Sequence, residues 1–326
     1  MQPQRATQTR VVQNQHELTL MEIRLEAKGV VSLAFRHPEG SRLPEWQPGA
    51  HLEVVLPSGR VRHYSLCGDP SDRHVYRVAV LRVDGGRGGS AEVHDDLKVG
   101  RIYTLRGPRN HFALMPAAAY LFIAGGIGIT PILPMIEAMR GAENWRALYC
   151  GRSRSGMAFL DRLARRPEVT VLSDDSDGRP DFAAEISNAP RGTAVYCCGP
   201  EGMLDLVSEA CSARPDITLC TERFAASTTP SSAGAPNAAG TEVHLARSGI
   251  TVTVGAGESV LQAIRRAKPD VAWSCEAGFC GTCETAIIEG DVEHLDQLHS
   301  EAERVANRTM MICVSRPLSS RLVLDL

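Results

Sequence analysis

Ser274-Cys275-Glu276-Ala277-Gly278-Phe279-Cys280-Gly281-Thr282-Cys283 places three cysteines at C-x4-C-x2-C, and Cys313 follows in Met310-Met311-Ile312-Cys313-Val314. That spacing suits a 2Fe–2S cluster, whose four thiolates converge on two irons from one tight loop and one fixed strand. Gly278, Gly281 and Thr282 are small enough for the loop backbone to close in and aim N–H groups at the sulfurs. The competing readings are buried structural cysteines, or a zinc site using Cys280 and Cys283. Zinc knuckles pair one CxxC with a second or with a histidine pair, and no second CxxC occurs. The candidate metal ligands are therefore Cys275, Cys280, Cys283 and Cys313.

Around this loop the pattern is α+β. Two strands, Glu242 to Arg247 and Ile250 to Val254, are expected to join at Ser248-Gly249 as a tight hairpin. A helix with Val260, Leu261 and Ile264 on one face follows. Strands at Thr285-Ala286-Ile287-Ile288 and Arg321-Leu322-Val323-Leu324 complete the set. Glu276, Glu284, Glu289, Asp291, Glu293, Asp296, Glu301 and Glu303 face little besides Arg304, so an acidic rim beside the loop is expected to steer a basic patch on a partner. Upstream, residues 226–240 lack any large apolar side chain and read as a flexible linker.

Before the linker, Tyr120-Leu121-Phe122-Ile123-Ala124 is a continuous apolar run, as a buried parallel strand should be. It meets Gly125-Gly126-Ile127-Gly128-Ile129-Thr130-Pro131 and then a helix, with Thr130 read as its cap and Pro131 in its first turn. Strand, glycine turn and helix N-terminus make a pyrophosphate cradle. Arg146 to Cys150 and Ala194 to Cys198 are further parallel-strand candidates, the second running into Cys198-Gly199-Pro200. Gly151-Arg152-Ser153-Arg154, after the second strand, carries two arginines where an acid usually takes the ribose hydroxyl.

From Thr9 to about Leu114, short alternating segments broken by turns predict a small antiparallel barrel. Within it, Arg62-His63-Tyr64-Ser65 puts Arg62 and Tyr64 on one strand face and Ser65 on the other. An arginine beside a tyrosine suits a phosphorylated aromatic ligand. Gly85-Gly86-Arg87-Gly88-Gly89-Ser90 precedes a helical segment, where backbone N–H groups form a natural phosphate nest.

At 326 residues the chain has room for two or three cores. Its net charge of -3, without a dense basic block, argues against nucleic-acid binding. No apolar run reaches membrane-spanning length and the N-terminus lacks a signal core. Ten cysteines thinly spread over such a chain fit the cytoplasm better than a disulfide scaffold.

These motifs resemble the ferredoxin–NADP reductase superfamily, in which R-x-Y-S is the flavin signature, G-G-x-G-x-T-P the nucleotide turn and C-G-P the element beside the nicotinamide. The resemblance implies that Tyr64 packs on the flavin ring, Ser65 hydrogen-bonds near its reactive nitrogen, and Arg62, Gly88, Gly89 and Ser90 hold the phosphate. His63 joins them in the flavin site. Gly125, Gly126, Gly128, Thr130, Pro131, Arg152, Cys198, Gly199 and Pro200 would bind the nucleotide. Glu222 and Phe224 resemble the closing segment whose aromatic shields the flavin; Ser65, Cys198 and Phe224 are the residues implied at the reacting centre. The short glycine loop resembles the FMN-binding branch, not the FAD-binding one. Hairpin, helix and cysteine loop resemble the β-grasp fold of plant-type ferredoxins.

The whole order resembles the phthalate dioxygenase reductase family: FMN barrel at 1–115, NAD(P)H-binding α/β domain at 116–225, linker, and ferredoxin domain at 241–326. That resemblance implies the reductase component of a two-component Rieske-type oxygenase, taking electrons from NADH, with NADPH as the alternative, to a terminal oxygenase. Two rivals remain: an FAD-containing reductase of a diiron monooxygenase, which usually carries its ferredoxin domain first, and a non-enzymatic iron–sulfur redox sensor.

Overall fold

The computed structural model describes residues 15–85, 88–224, 240–273, 276, 278, 281–296, 298–299 and 301–326. Two compact units result, Met1–Cys198 with Val207–Cys220, and Gly199–Leu206 with Thr221–Leu326.

The first unit opens with antiparallel strands β1 Gln15–Ala27, β2 Val30–Arg36, β3 Ala50–Val55, β4 Val61–Ser65, β5 Tyr76–Leu81 and, after helix α1 (Gly89–Asp96), β6 Ile102–Asn110. They pair in the order β4-β3-β6-β1-β2-β5. An isolated antiparallel bridge, Leu66 to Val78, joins the two ends of this sheet, so the expected barrel closes through a single bridge. Alternation drives the curl, since one face of every strand must be covered. Leu18, Leu20, Leu33, Phe35, Leu52, Val54, Val78 and Leu105 fill the inside.

Next come β7 Ala119–Gly125, α2 Ile129–Ala138, β8 Trp145–Gly151, α3 Leu160–Leu163, β9 Val169–Ser173, α4 Phe182–Ser187, β10 Thr193–Cys198, α5 Glu201–Ser212 and β11 Thr218–Glu222. The sheet order is β11-β10-β7-β8-β9, with β7–β8, β8–β9 and β10–β7 parallel. The chain winds outward from β7 to β9, then restarts on the other side of β7 with β10. That reversal is a topological switch point, where a crevice forms beyond the strand ends. Thr130 is not the cap expected of it: α2 starts at Ile129 after a 3-10 turn at Gly126–Gly128. The Thr130 hydroxyl instead donates to the Ile127 carbonyl at 3.0 Å.

The second unit carries β12 Thr241–Leu245, β13 Ile250–Val254, α6 Val260–Ala267, β14 Glu284–Glu289, β15 Val292–Glu293, α7 Glu301–Ala306, β16 Thr309–Met311, β17 Arg316–Pro317 and β18 Arg321–Leu324. Its main sheet runs β13-β12-β18-β14-β16. The first and last strands, β12 and β18, lie parallel at its centre, as in a β-grasp sheet. A capping box between Ser259 and Gln262 starts α6, which buries Val260, Leu261, Ala263 and Ile264. The hairpin loop is longer than Ser248-Gly249, because the Ala246 and Arg247 amides donate to Leu324 and Leu326 and leave the β12–β13 ladder.

Within the first unit, Val30, Cys67, Ala79 and Phe112 share one core with Phe122, Ile132, Tyr149 and Tyr196. The Tyr196 hydroxyl accepts from the Met115 amide at 2.8 Å and donates to the Ala113 carbonyl at 3.0 Å, pinning the segment between the two sheets. Tyr196→Phe strands both backbone groups, and a loss of about 1–3 kcal/mol in urea-denaturation stability is expected.

Candidate functional site

Three places gather the sequence-predicted residues. On β4, pairing with β3 sets Ser65 opposite His51, His63 opposite Glu53, and Tyr64 opposite Leu52. Ser65 and His63 therefore share a face with His51 and Glu53, while Tyr64 turns toward the apolar side. The Tyr64 hydroxyl is buried with no hydrogen-bond partner among the described residues. Burial raises its pKa and keeps it protonated.

Arg62 lies directly along the backbone of Gly89. A Cβ there would stand 2.3 Å from Arg62 Nε and 2.9 Å from its Cγ, so only glycine admits this arginine at the start of α1. Gly88 caps the helix in a left-handed conformation with no side-chain hydrogen bond, and nothing on the cap competes for the first-turn amides. Ser90 Oγ accepts from the Val83 amide at 3.0 Å, which leaves its own proton to donate elsewhere. Below them, buried Glu92 accepts from the Ser58 amide and hydroxyl and from Arg60. Burial opposes its ionisation, but these bonds outweigh it and hold Glu92 below the usual carboxylate range. A cation, a capped-open helix start and a cradle that a Cβ would fill fit a phosphate group.

At the switch point, β10 and β7 pair with Cys198 opposite Ala124, and β7 and β8 with Gly125 opposite Cys150. The fully buried Cys198 thus ends its strand beside the turn Gly125, Gly126, Gly128, Thr130, Pro131. Gly199 and Pro200 continue the chain into α5, whose Met203 and Leu204 amides donate to the Pro200 carbonyl. Arg154 is drawn to Asp177, at 3.5 Å, and the same carboxylate oxygen accepts from the Ser173 amide at 2.9 Å. That amide, with the Ser173 hydroxyl and Arg154, holds Asp177 below the usual range against the cost of burial. One of the two arginines expected to receive a 2′-phosphate is therefore engaged by an acid, while Arg152 stays exposed. Glu222 ends β11, and Phe224 just beyond it is 41% exposed.

In the second unit, β14 pairs with β16 so that Glu284 faces Met311, and the Ile312 amide reaches the Cys283 carbonyl at 3.5 Å. This register brings the buried Cys283 and Cys313 to one end of the sheet. Cys275 and Cys280 lie outside the described residues. Gly278 has φ +73°, and a Cβ on it would meet Val314 Cγ2 at 2.7 Å and Asp296 Cα at 3.0 Å. Two buried cysteines at one sheet end, beside a glycine this closely packed, fit a 2Fe–2S cluster, which takes four thiolates.

Residues 243–318 match the 2Fe-2S iron-sulfur cluster binding domain family. Over 313 residues the chain is 41% identical to the phenoxybenzoate dioxygenase subunit beta of Ectopseudomonas oleovorans, covering 95% of this chain and 97% of that one. The solved structure of a phthalate dioxygenase reductase, described as modular for electron transfer from pyridine nucleotides to [2Fe-2S], superposes with a TM-score of 0.71 at 36% identity, over 96% of this chain and 98% of that one. The chain belongs to the phthalate dioxygenase reductase family. An intact type IV self-sufficient cytochrome P450 monooxygenase is also similar, with a TM-score of 0.87 and 39% identity over 98% of this chain. Here the chain spans 43% of the other protein's length.

In this phthalate dioxygenase reductase family member, the polar neighbours of the expected His63, above all His51 and Glu53, escaped the sequence reading. His51 lies 5.1 Å from the His63 ring and 5.9 Å from that of His111. Burial, then His63, His111 and Arg109, press its pKa well below the imidazole range, so it stays neutral. Glu53 beside it meets Arg109 at 2.7 Å and Arg106 at 3.7 Å. The signal was present: His51 and Glu53 alternate on an otherwise apolar strand. The expected acidic rim also needs correction. Asp296 is buried, Arg304 donates to the Asp296 and His299 carbonyls, and Glu276 has Arg265 at 3.8 Å.

Gly89→Ala forces Arg62 off the helix start without straining the backbone, so apoprotein affinity for FMN is expected to fall at least about tenfold by calorimetric titration, a cost of about 1.4 kcal/mol.

Proposed function

We propose that this chain is the reductase component of a two-component Rieske-type oxygenase or O-demethylase, carrying electrons from NADH through FMN and a 2Fe–2S cluster to the partner oxygenase. The carrying observation is a conjunction on one chain: the Arg62–Gly89 seat, Cys198 beside the glycine turn, and the buried Cys283 and Cys313 that the β14–β16 register brings to one sheet end. Relatives named as reductase subunits of oxygenase systems support the same reading. A bound flavin would take one hydride, two electrons together, from nicotinamide and hand them on singly, as a cluster accepts them.

In this proposal residues 1–115 form the flavin domain, 116–225 the nucleotide domain and 241–326 the ferredoxin domain. Arg62, Gly88, Gly89 and Ser90 hold the flavin phosphate, Tyr64 covers the ring, and Ser65, with His63 beside it, meets the reactive edge. Gly125, Gly126, Gly128, Thr130 and Pro131 seat the pyrophosphate; Cys198, Gly199 and Pro200 border the nicotinamide; Glu222 and Phe224 belong to the closing segment whose aromatic shields the flavin. Cys275, Cys280, Cys283 and Cys313 hold the irons. NADH is favoured over NADPH because Arg154, one of the two arginines read as able to hold a 2′-phosphate, is paired with Asp177. No helix among the described residues is long and apolar enough to cross a membrane, and the cytoplasm, where NADH is regenerated, is the proposed compartment.

A second reading, with a haem monooxygenase as acceptor, draws on the similarity to the self-sufficient P450 chain. Anaerobic stopped-flow mixing with NADH separates the outcomes: flavin bleaching, then cluster bleaching, then reoxidation by a Rieske oxygenase is expected. Reoxidation only by a P450 moves the protein to the second reading, and absence of flavin bleaching defeats both. Cys198→Ala is expected to keep flavin and iron content while slowing NADH-driven flavin bleaching roughly tenfold or more, because hydride transfer depends on ring placement. NADPH is expected to give a kcat/KM at least about tenfold below that of NADH, with Asp177→Asn narrowing the gap.

A further inference from the structure

Between β15 and β16 the chain buries two histidines and an aspartate against one another. The side chains of His294, Asp296 and His299 are 5%, 0% and 6% exposed, and one ligand atom from each lies within 4.8 Å of the others. His299 Nδ1 is 3.0 Å from Asp296 Oδ2, and His294 Nδ1 is 3.8 Å from the same oxygen.

The outer hydrogen bonds decide which atoms carry protons. Thr309 Oγ1 donates to Glu284 Oε1 at 2.8 Å, and a hydroxyl has only one proton to give. His299 Nε2, 2.8 Å from the same Thr309 oxygen, must then be the donor. On the other ring, His294 Nε2 stands 3.3 Å from Asn307 Oδ1, while Asn307 Nδ2 donates to the Gly290 carbonyl. His294 Nε2 is again the donor, so its Nδ1 presents a lone pair, and that atom is buried with no hydrogen-bond partner among the described residues. Asp296 Oδ1 is occupied by the Leu298 and His299 amides, which turns Oδ2 inward. His294 Nδ1, His299 Nδ1 and Asp296 Oδ2 thus converge, each group fixed by a partner on its far side, and the proton that His299 Nδ1 shares with the carboxylate is the one a metal ion would displace. Ligands of a transition metal are oriented in this way.

We infer that His294 Nδ1, Asp296 Oδ2 and His299 Nδ1 form a second metal site, for one divalent cation of the zinc class, separate from the four-cysteine centre. Two imidazoles and a carboxylate suit such borderline cations and not calcium or magnesium. The site's place gives it a purpose. Asp296 backs directly onto Gly278 of the cysteine loop, where an added Cβ would lie 3.0 Å from its Cα and 3.2 Å from its Cβ. A cation there fixes the segment against which the loop rests.

The test uses the holoprotein loaded with flavin and cluster, exposed to zinc sulfate and then dialysed. About one zinc per chain beyond about two irons is expected, with an X-ray absorption spectrum of nitrogen and oxygen scatterers at about 2.0–2.1 Å and no sulfur. His294→Asn and His299→Leu are expected to lose the zinc while keeping flavin and iron. No retained zinc, sulfur scatterers that place it among the cysteines, or undiminished zinc in both variants overturns the site. If either variant does not fold, the wild-type spectrum alone decides. The result is independent of which oxygenase the protein serves, since no electron transfer enters the measurement.

Discussion

Parallel pairing of β7 with β10 is the constraint on which the chemistry of the first unit depends. Hydrogen bonding in a parallel ladder fixes register along the whole strand, so Cys198 can only end beside Ala124. A slip of one residue would turn every side chain of β10 to the opposite face and carry Cys198 away from the glycine turn. Both faces of these strands are buried and apolar, so polar contacts mark the register: the Tyr196 hydroxyl meets the Met115 amide and the Ala113 carbonyl only in this pairing.

The antiparallel half of the unit solves a different problem, that of gathering charge at a sheet edge without exposing the core. Arg62 sits on the outermost strand of the sheet order, where an arginine stem can leave the pleat and run along Gly89. Glu92, Ser58 and Arg60 brace the turn and the helix from below. The cationic seat is therefore assembled from two elements that the chain separates by a full strand.

Much of this was legible in the residues themselves. Cysteine spacing, the apolar run of β7 and the glycine-rich turns carry local signals that survive without knowledge of the partners. What escaped depends on tertiary pairing. The His51–Glu53–His63–Arg109 group draws on β3, β4 and β6, and only their register unites them. Asp296 is chemically indistinguishable in sequence from its acidic neighbours, yet it alone of the expected rim is enclosed. Thr130 looked like a cap because threonine so often is one, and the short 3-10 turn before α2 removed the need.

The buried cysteines of the first unit bear on which sulfurs of the chain can react. Burial pushes the Cys67 and Cys150 thiols up to about 12. At neutral pH such thiols stay protonated, more completely than an unperturbed cysteine does. Iron, persulfide donors and oxidants all react with the thiolate. Burial thus keeps Cys67 and Cys150 of the folded chain in the thiol form, which is a poor ligand and a poor nucleophile.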